Sequence, residues 1–412
     1  MGTGNKAFES ASRRDILRAG ALGVGSALAP AAFAAGSIRL PLPGGPDERR
    51  LTTDFPGKGE MVLQRTRPPL LETPFSVYDK GVFTPGDQFY VRWHWAGVPT
   101  SVDAATHTVT VSGHVNNQVR FTLAELMNGF QHVELAAVNQ CSGNSRGFFE
   151  PRVPGGEWGN GAMGNARWVG VRLRDVLDAA GVKAGAVQVQ FEGADRPVVP
   201  NAPNLKKSLS VDHARDGEAM IAWQMNGQSL PLLNGFPFRL VVPGWYATYW
   251  TKALQHIRVL DHEDTNFWMK PAYTIPDNWP HANMSPGEKG VKFVPINRMV
   301  PRSFFTNMAG AATVRAGHAV ELRGIAFGGA AGVRAVQVSS DGGRNWRPAQ
   351  LGHDYGRYSF RQWKAQVQLA RGEHTLMVRC TNTDGLKQPM KPNWNPGGFM
   401  RNVVESVTVT AA

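Results

Sequence analysis

Cysteine is nearly missing from this chain, with two among 412 residues, Cys141 and Cys380. A disulfide framework is thereby excluded, because a pair can close one bridge at most. Acidic side chains are also scarce, 32 Asp and Glu against 44 Lys and Arg, which leaves a formal charge of +12 and a pI near 9.9. Such a balance favours anions or an acidic partner. The basic residues are scattered, with no Lys/Arg-rich run interleaved with aromatics, and nucleic acid is therefore not expected as a ligand. After Ala34 no apolar run is long enough to suggest an anchor, so no membrane span is expected in the mature chain. No Gly-x-Gly-x-x-Gly follows a strand and no Gly-Lys-Ser/Thr occurs, which removes the dinucleotide fingerprint and the P-loop. No Cys-x-x-Cys-His occurs, so no haem attached covalently to this chain is expected.

What remains is an ordinary globular composition, 42% hydrophobic and 18% charged, on a chain long enough for two domains. Its first 34 residues read as a twin-arginine signal peptide. Arg13-Arg14 precedes an apolar stretch from Ala19 to Ala34, and Ala32-Phe33-Ala34 offers a cleavage site before Ala35. That route exports folded proteins, often with a cofactor already inserted, and predicts a periplasmic location. Residues 35–69, rich in Gly, Pro and charge, read as an extended arm with little structure of its own.

The folded part opens with a predicted strand, Gln88 to Trp95, whose alternation puts Tyr90, Arg92 and His94 on one face. Strands are predicted at 108–115 and 119–121, then a short helix opened by Thr122 and Glu125, a capping-box pair. The apolar run Val133 to Val138 leads into Asn139-Gln140-Cys141-Ser142-Gly143-Asn144-Ser145-Arg146. A buried strand ending in a polar loop is a common place to present a reactive side chain. A thiolate at Cys141 would be a soft anionic ligand or nucleophile, and the nearby Arg146 would lower its pKa and attract anions. The bland readings are a buried structural cysteine or a disulfide to Cys380. Residues 154–168 read as a long glycine-rich loop, 171–180 as an amphipathic helix, and 187–193 as a strand ending near Asp195. A second dense stretch carries Asn234, Arg239, Trp250 and Lys252 around a Pro243-Gly244 turn. From about Ser303 the chain reads as an immunoglobulin-like sandwich, with strands at 319–326, 333–339, 363–369, 373–381 and 403–409 and a hairpin turn at Asp341-Gly342-Gly343. Cys380 falls in one of these strands, where a core position is expected.

Taken together, Phe89-Tyr90-Val91-Arg92-Trp93-His94, Gln140-Cys141-Ser142-Gly143-Asn144-Ser145-Arg146, Gly164-Asn165-Ala166-Arg167-Trp168 and the stretch 234–244 resemble the sulfite oxidase family of molybdenum enzymes. Within it the chain is most similar to the bacterial periplasmic sulfite dehydrogenases, from about Pro68 to the C-terminus. The resemblance implies an α+β fold: a mixed α/β molybdopterin-binding domain at 70–300, then the immunoglobulin-like domain at 301–412, a dimerisation module that makes a homodimer possible. It implies one molybdopterin, with molybdenum held by the Cys141 thiolate, a soft ligand suited to a redox metal. That role disfavours a Cys141–Cys380 disulfide. Arg92, Arg146, Trp158 and Tyr273 would line the pocket for sulfite, two guanidinium forks suiting a small oxyanion. Tyr90, His94, Asp195, Asn234, Arg239, Trp250 and Lys252 would grip the pterin and its phosphate, again with Arg92 and Cys141. At Asn234 and Tyr249 the chain departs from the vertebrate type, which carries His and a basic residue there. Arg357 and Arg361 are further candidates to reach the pocket. Electrons would leave to a cytochrome c or a haem c subunit.

Other readings carry separate tests. A periplasmic molybdenum reductase, for example of methionine sulfoxide, would share the export signal and the cysteine but lack the Arg92/His94 pair. Assimilatory nitrate reduction is disfavoured by the export signal and by the lack of attached haem and flavin domains. A non-enzymatic exported binding protein with a structural Cys141 would carry no molybdenum.

Overall fold

The computed structural model describes residues 36–412, so the twin-arginine stretch and its cleavage site lie outside the described residues. Among them no helix is long and apolar enough to cross a membrane.

The segment expected as an unstructured arm instead builds a sheet. Strands Ser37–Arg39, Glu48–Thr52, Met61–Arg65, Leu70–Glu72 and Val91–Arg92 follow one another in an antiparallel order. Its Gly, Pro and charged residues mark the turns. The apolar residues between them, Leu40, Leu42 and Val62 on one side and Met61, Leu71, Val91 and Trp93 on the other, form two small cores. The strand expected at 88–95 shrinks to Val91–Arg92, preceded by a turn of 3-10 helix at Gly86–Gln88.

Two larger sheets form the body. One runs in the spatial order Lys206–Ser210, Gln188–Gly193, Leu254–Leu260, Thr108–Gly113 and Val119–Thr122, with a single parallel pairing between 254–260 and 108–113. The other places Gln228–Ser229, Met220–Met225, Met163–Arg172 and His132–Gln140 side by side, with Arg239–Val241 also paired to 220–225. Part of the expected glycine-rich loop is thus a long strand. Gly164 is needed there because a β-carbon would stand 2.5 Å from the Phe89 ring. The helix Leu123–Gly129 starts at Thr122 with both bonds of the capping box present, and helix Leu173–Ala180 buries Leu173, Val176, Leu177 and Ala180. These faces close one core with Trp168, Phe191, Phe238 and Trp250. Each large apolar side chain fully removed from water there contributes about 1.5–3 kcal/mol.

The C-terminal part is a two-layered sandwich. Arg302–Phe305, Ala319–Phe327, Arg361–Gln368 and Gln350–Leu351 make one layer. Ala312–Val314, Glu405–Ala411, Gly372–Asn382, Val333–Ser339 and Arg347–Pro348 make the other. Leu322, Trp363 and Val367 meet Val336, Val378 and Val409 between the layers. Cys380 lies in that core, and both cysteines are free, so the disulfide alternative is not formed.

Candidate active site

Strand His132–Gln140 delivers Cys141 at its end, and the loop that follows is fixed from three sides. Cys141 N donates to Ala162 O at 2.9 Å, while Ala162 N donates to the side-chain carbonyl of Asn144 at 3.0 Å. Ser145, at φ 69°, donates its N–H to Gly159 O at 2.7 Å. Behind the 159–161 turn, the buried Glu72 carboxylate accepts from Gly159 N and Gly161 N at 3.0 and 2.7 Å. From the C-terminal sandwich, Met400 N donates to Ser142 O at 3.0 Å and Arg302 donates to Ser145 Oγ at 3.0 Å. A side chain so braced is preorganised, because its backbone has few other places to go.

Cys141 opens into a cleft lined by Tyr90, Arg92, His94, Asn139, Leu233, Asn234, Arg239, Ala247, Thr248, Lys252 and Tyr273. The alternation read at Tyr90, Arg92 and His94 therefore holds, although little of that segment is regular strand. Arg92 Nη2 donates to Tyr273 Oη at 2.7 Å, and His94 Nε2 lies 2.5 Å from the same oxygen. Burial, then the cations Arg92, Lys252 and Lys207, push the His94 pKa well below its ordinary value. A neutral His94 accepts the Tyr273 proton at Nε2 and so carries its own on Nδ1, which finds no acceptor in the protein. Tyr273 itself sits at φ 54°, a left-handed backbone that a bulky residue adopts only when its surroundings hold it there.

Electrostatically the cleft is a basin of buried cations. Arg239 and Lys252 are pulled down to about 10 and about 7, mainly by burial. Lys252 lies over the Trp93 ring at 4.5 Å, and among the described residues it forms no ion pair. Asp195, buried near Lys252, has its carboxyl pushed up by the same desolvation and one oxygen without a partner. Unpartnered buried atoms cluster on this wall: Arg92 Nη1, His94 Nδ1, Asn139 Nδ2, Arg239 Nε and Thr248 Oγ1. A buried polar atom without a partner costs about 1–3 kcal/mol, so a run of them marks groups reserved for a ligand. Donors predominate, with the Asp195 oxygen as an acceptor, which suits a planar heterocycle carrying both kinds of group and an anionic tail. Among the described residues no three His, Cys, Asp or Glu side chains come together as a metal cluster. A metal beside Cys141 therefore needs further ligands from a bound cofactor, and the donor set fits a molybdopterin.

Arg146, Trp158 and Trp250 stand next to this lining rather than in it. Arg146 turns its guanidinium to Gly397 O at 3.1 and 3.0 Å and to Gly156 O at 3.3 Å. Proximity to Cys141 in sequence does not fix the direction of so long a side chain. Trp158 is buried in the same core as Cys141, and Trp250 lies 5.7 Å from the Arg239 guanidinium. Asn234 reaches the cleft, but its amide already donates to Tyr90 O at 3.0 Å and accepts from Lys58 Nζ at 2.5 Å. Tyr249 donates to Ile296 O and is buried. Arg357 and Arg361 do not approach the cleft; they pair with Glu218 and Asp354. Asn139, Thr248 and Leu233 in the lining, and the buried Lys207 beneath the Tyr249 and Tyr273 rings at 4.7 and 5.8 Å, were not singled out from sequence. Lys207 is pulled down to about 7 by burial.

Comparison with known proteins bears on this cleft. A family model described as an oxidoreductase molybdopterin binding domain matches residues 95–268, and a Mo-co oxidoreductase dimerisation domain matches residues 295–412. The chain is 31% identical over 301 residues to the sulfite oxidase of Arabidopsis thaliana, covering 69% of this chain and 74% of that protein. It is 31% identical over 367 residues to the mitochondrial sulfite oxidase of Homo sapiens, covering 85% of this chain and 65% of that one. With the NAD(P)H nitrate reductase of Hordeum vulgare it shares 32% identity over 396 residues, 86% of this chain but 41% of that protein. Among solved structures, the sulfane dehydrogenase SoxCD from Paracoccus pantotrophus has the same fold, with a TM-score of 0.70 at 22% identity over 84% of this chain and 87% of that one.

Proposed function

Because the chain belongs to the sulfite oxidase family of molybdopterin oxidoreductases, we propose that it oxidises sulfite to sulfate in the periplasm and passes the electrons to a cytochrome c. The overall change, sulfite plus water to sulfate plus two protons and two electrons, requires an oxyanion site, a redox centre and a route for protons. The observation that carries the reading is the Arg92–Tyr273–His94 constellation, hydrogen-bonded within the cleft into which Cys141 opens. A bound molybdopterin–molybdenum centre supplies oxygen-atom transfer and accepts the electron pair. Cys141 would hold its metal; Tyr90, Asn139, Asp195 and Thr248 would meet the pterin; Arg239 and Lys252 would meet the phosphate.

The protein's own part is binding and proton handling. Arg92 still has Nη1 unpartnered, which leaves one arm of its fork for a sulfite oxygen while the other fixes Tyr273. A charge-assisted bond of this kind contributes about 1.5–3 kcal/mol. The Tyr273 phenol, kept protonated by burial, donates its hydrogen bond to His94 while it accepts from Arg92, which holds the hydroxyl in place at the cleft. An anion in the cleft also offsets the like-charge crowding that adds to burial in depressing Lys252 and His94. Export by Arg13 and Arg14, and a homodimer through residues 301–412, complete the proposal.

The test is to add sulfite and oxidised cytochrome c to molybdenum-replete protein and follow cytochrome reduction. Sulfite-dependent reduction is expected; its absence with the metal present would remove sulfite as the substrate. The similarity to the barley protein favours a second reading, reduction of nitrate at the same cationic wall, which nitrate with a reduced dye would reveal.

A further inference from the structure

Phe399 comes from the C-terminal part of the chain, yet it packs against the cleft's working residues. Its ring stacks on that of Tyr273, with centroids 5.5 Å apart and planes 20° from parallel. From another direction the Arg146 guanidinium lies 5.2 Å from the same centroid. We propose that Phe399 is a positioning residue that holds both Tyr273 and Arg146 at the cleft. This rests on the sulfite reading above.

The loop around Phe399 is built to fix that ring. Asn395 accepts from Phe399 N at 3.0 Å and donates to Phe399 O at 2.9 Å, and Asn393 donates to the same carbonyl at 3.0 Å. One residue later Met400, at φ 62°, ties the loop to Ser142 O beside Cys141. Two residues earlier Gly397 O takes two bonds from Arg146. Phe399 is 8% exposed, and its backbone is held at both its N–H and its carbonyl. Tyr273 needs such a backstop. Its left-handed backbone is unfavourable for a bulky residue, and its phenol must keep both the Arg92 and the His94 bond. An aromatic face supplies offset-stacking energy to the phenol ring and cation–π attraction to the guanidinium, and an aliphatic side chain supplies neither. Residues 301–412 therefore contribute to substrate capture as well as to any association between subunits.

Phe399→Leu and Phe399→Met keep an apolar side chain and remove the ring face. In molybdenum-replete variants KM for sulfite is expected to rise about three- to thirty-fold, with kcat changed less than about threefold. In a crystal structure of either variant, the distance from Arg92 Nη2 to Tyr273 Oη is expected to lengthen beyond about 3.5 Å, past hydrogen-bond range. A lowered Tm with KM unchanged and the Arg92–Tyr273 bond intact would make Phe399 a packing residue and overturn the proposal. Should the wild-type protein not oxidise sulfite, the sulfite reading fails first. The Arg92–Tyr273 distance in the variant structures then decides the role of Phe399 alone.

Discussion

Cys141 and Cys380 are both buried and both free, and their surroundings differ in what is left unpaired. Around Cys380 the polar groups are spent. Gln388 accepts from Cys380 N at 2.8 Å and from Ser303 Oγ, and it donates to the carbonyls of Asn402 and Val403. The thiol donates to Phe327 O at 3.7 Å, and burial pushes its pKa far up. In the cleft beside Cys141, Arg92, His94, Asn139, Arg239 and Thr248 each keep a buried atom without a partner. Lys252 sits there with its pKa pulled down to about 7, mainly by burial. A fold can tolerate a few such costs, but it does not gather them on one wall by chance. Unspent polarity, more than burial or cysteine content, distinguishes a site from a core.

The same substitution at both cysteines breaks this comparison most sharply. Cys141→Ser should leave a folded protein whose turnover falls by about a thousand-fold or more, because an alkoxide or hydroxyl is a harder and weaker donor to a soft metal. Steady-state assay of purified protein with matched pterin content measures it. Arg92→Met removes one guanidinium from the cleft and should raise KM for sulfite about ten- to a hundred-fold, with Arg92→Lys recovering part of the loss. An unchanged kcat/KM would take Arg92 out of substrate capture. Cys380→Ser should leave kcat/KM unaltered while lowering stability by about 1–3 kcal/mol, the cost of a hydroxyl in an apolar core, read by urea unfolding. Smallest of all, Arg357→Met should change kcat/KM by less than about twofold, since that guanidinium pairs with Glu218 at a partly exposed surface.

Much of this was legible in the chain. Thr122 and Glu125 announced a helix start and made it, because a capping box is a local device. Tyr90, Arg92 and His94 fell on one wall because alternation survives even in an irregular extended segment. Cys141 emerged at a strand end because the apolar run before it had to be buried. The failures share a physical cause: they depend on direction or on partners distant in sequence. Arg146 stays within electrostatic reach of Cys141, Tyr273 and Arg92, but the direction of its guanidinium is set by the carbonyl groups of Gly397 and Gly156, which sequence does not show. Lys58 lies in the segment read as a bare arm and yet holds Asn234 and the carbonyls of Gly86 and Phe89 inside the fold. Phe399 carries no local signal, since its meaning lies in Tyr273 and Arg146. Short strands such as Ser37–Arg39 vanish in a Gly- and Pro-rich composition, because three residues are too few to show a period.

In the proposed function, Cys141 holds the metal of a molybdopterin cofactor in this cleft. X-ray absorption at the molybdenum edge, compared between the wild-type protein and cofactor-loaded Cys141→Ser, tests it most directly. One sulfur neighbour fewer around molybdenum is expected in the variant, with the sulfur contribution of the pterin retained. An unchanged sulfur shell would contradict it, as would wild-type protein that carries no molybdenum when expressed with a full supply of the cofactor.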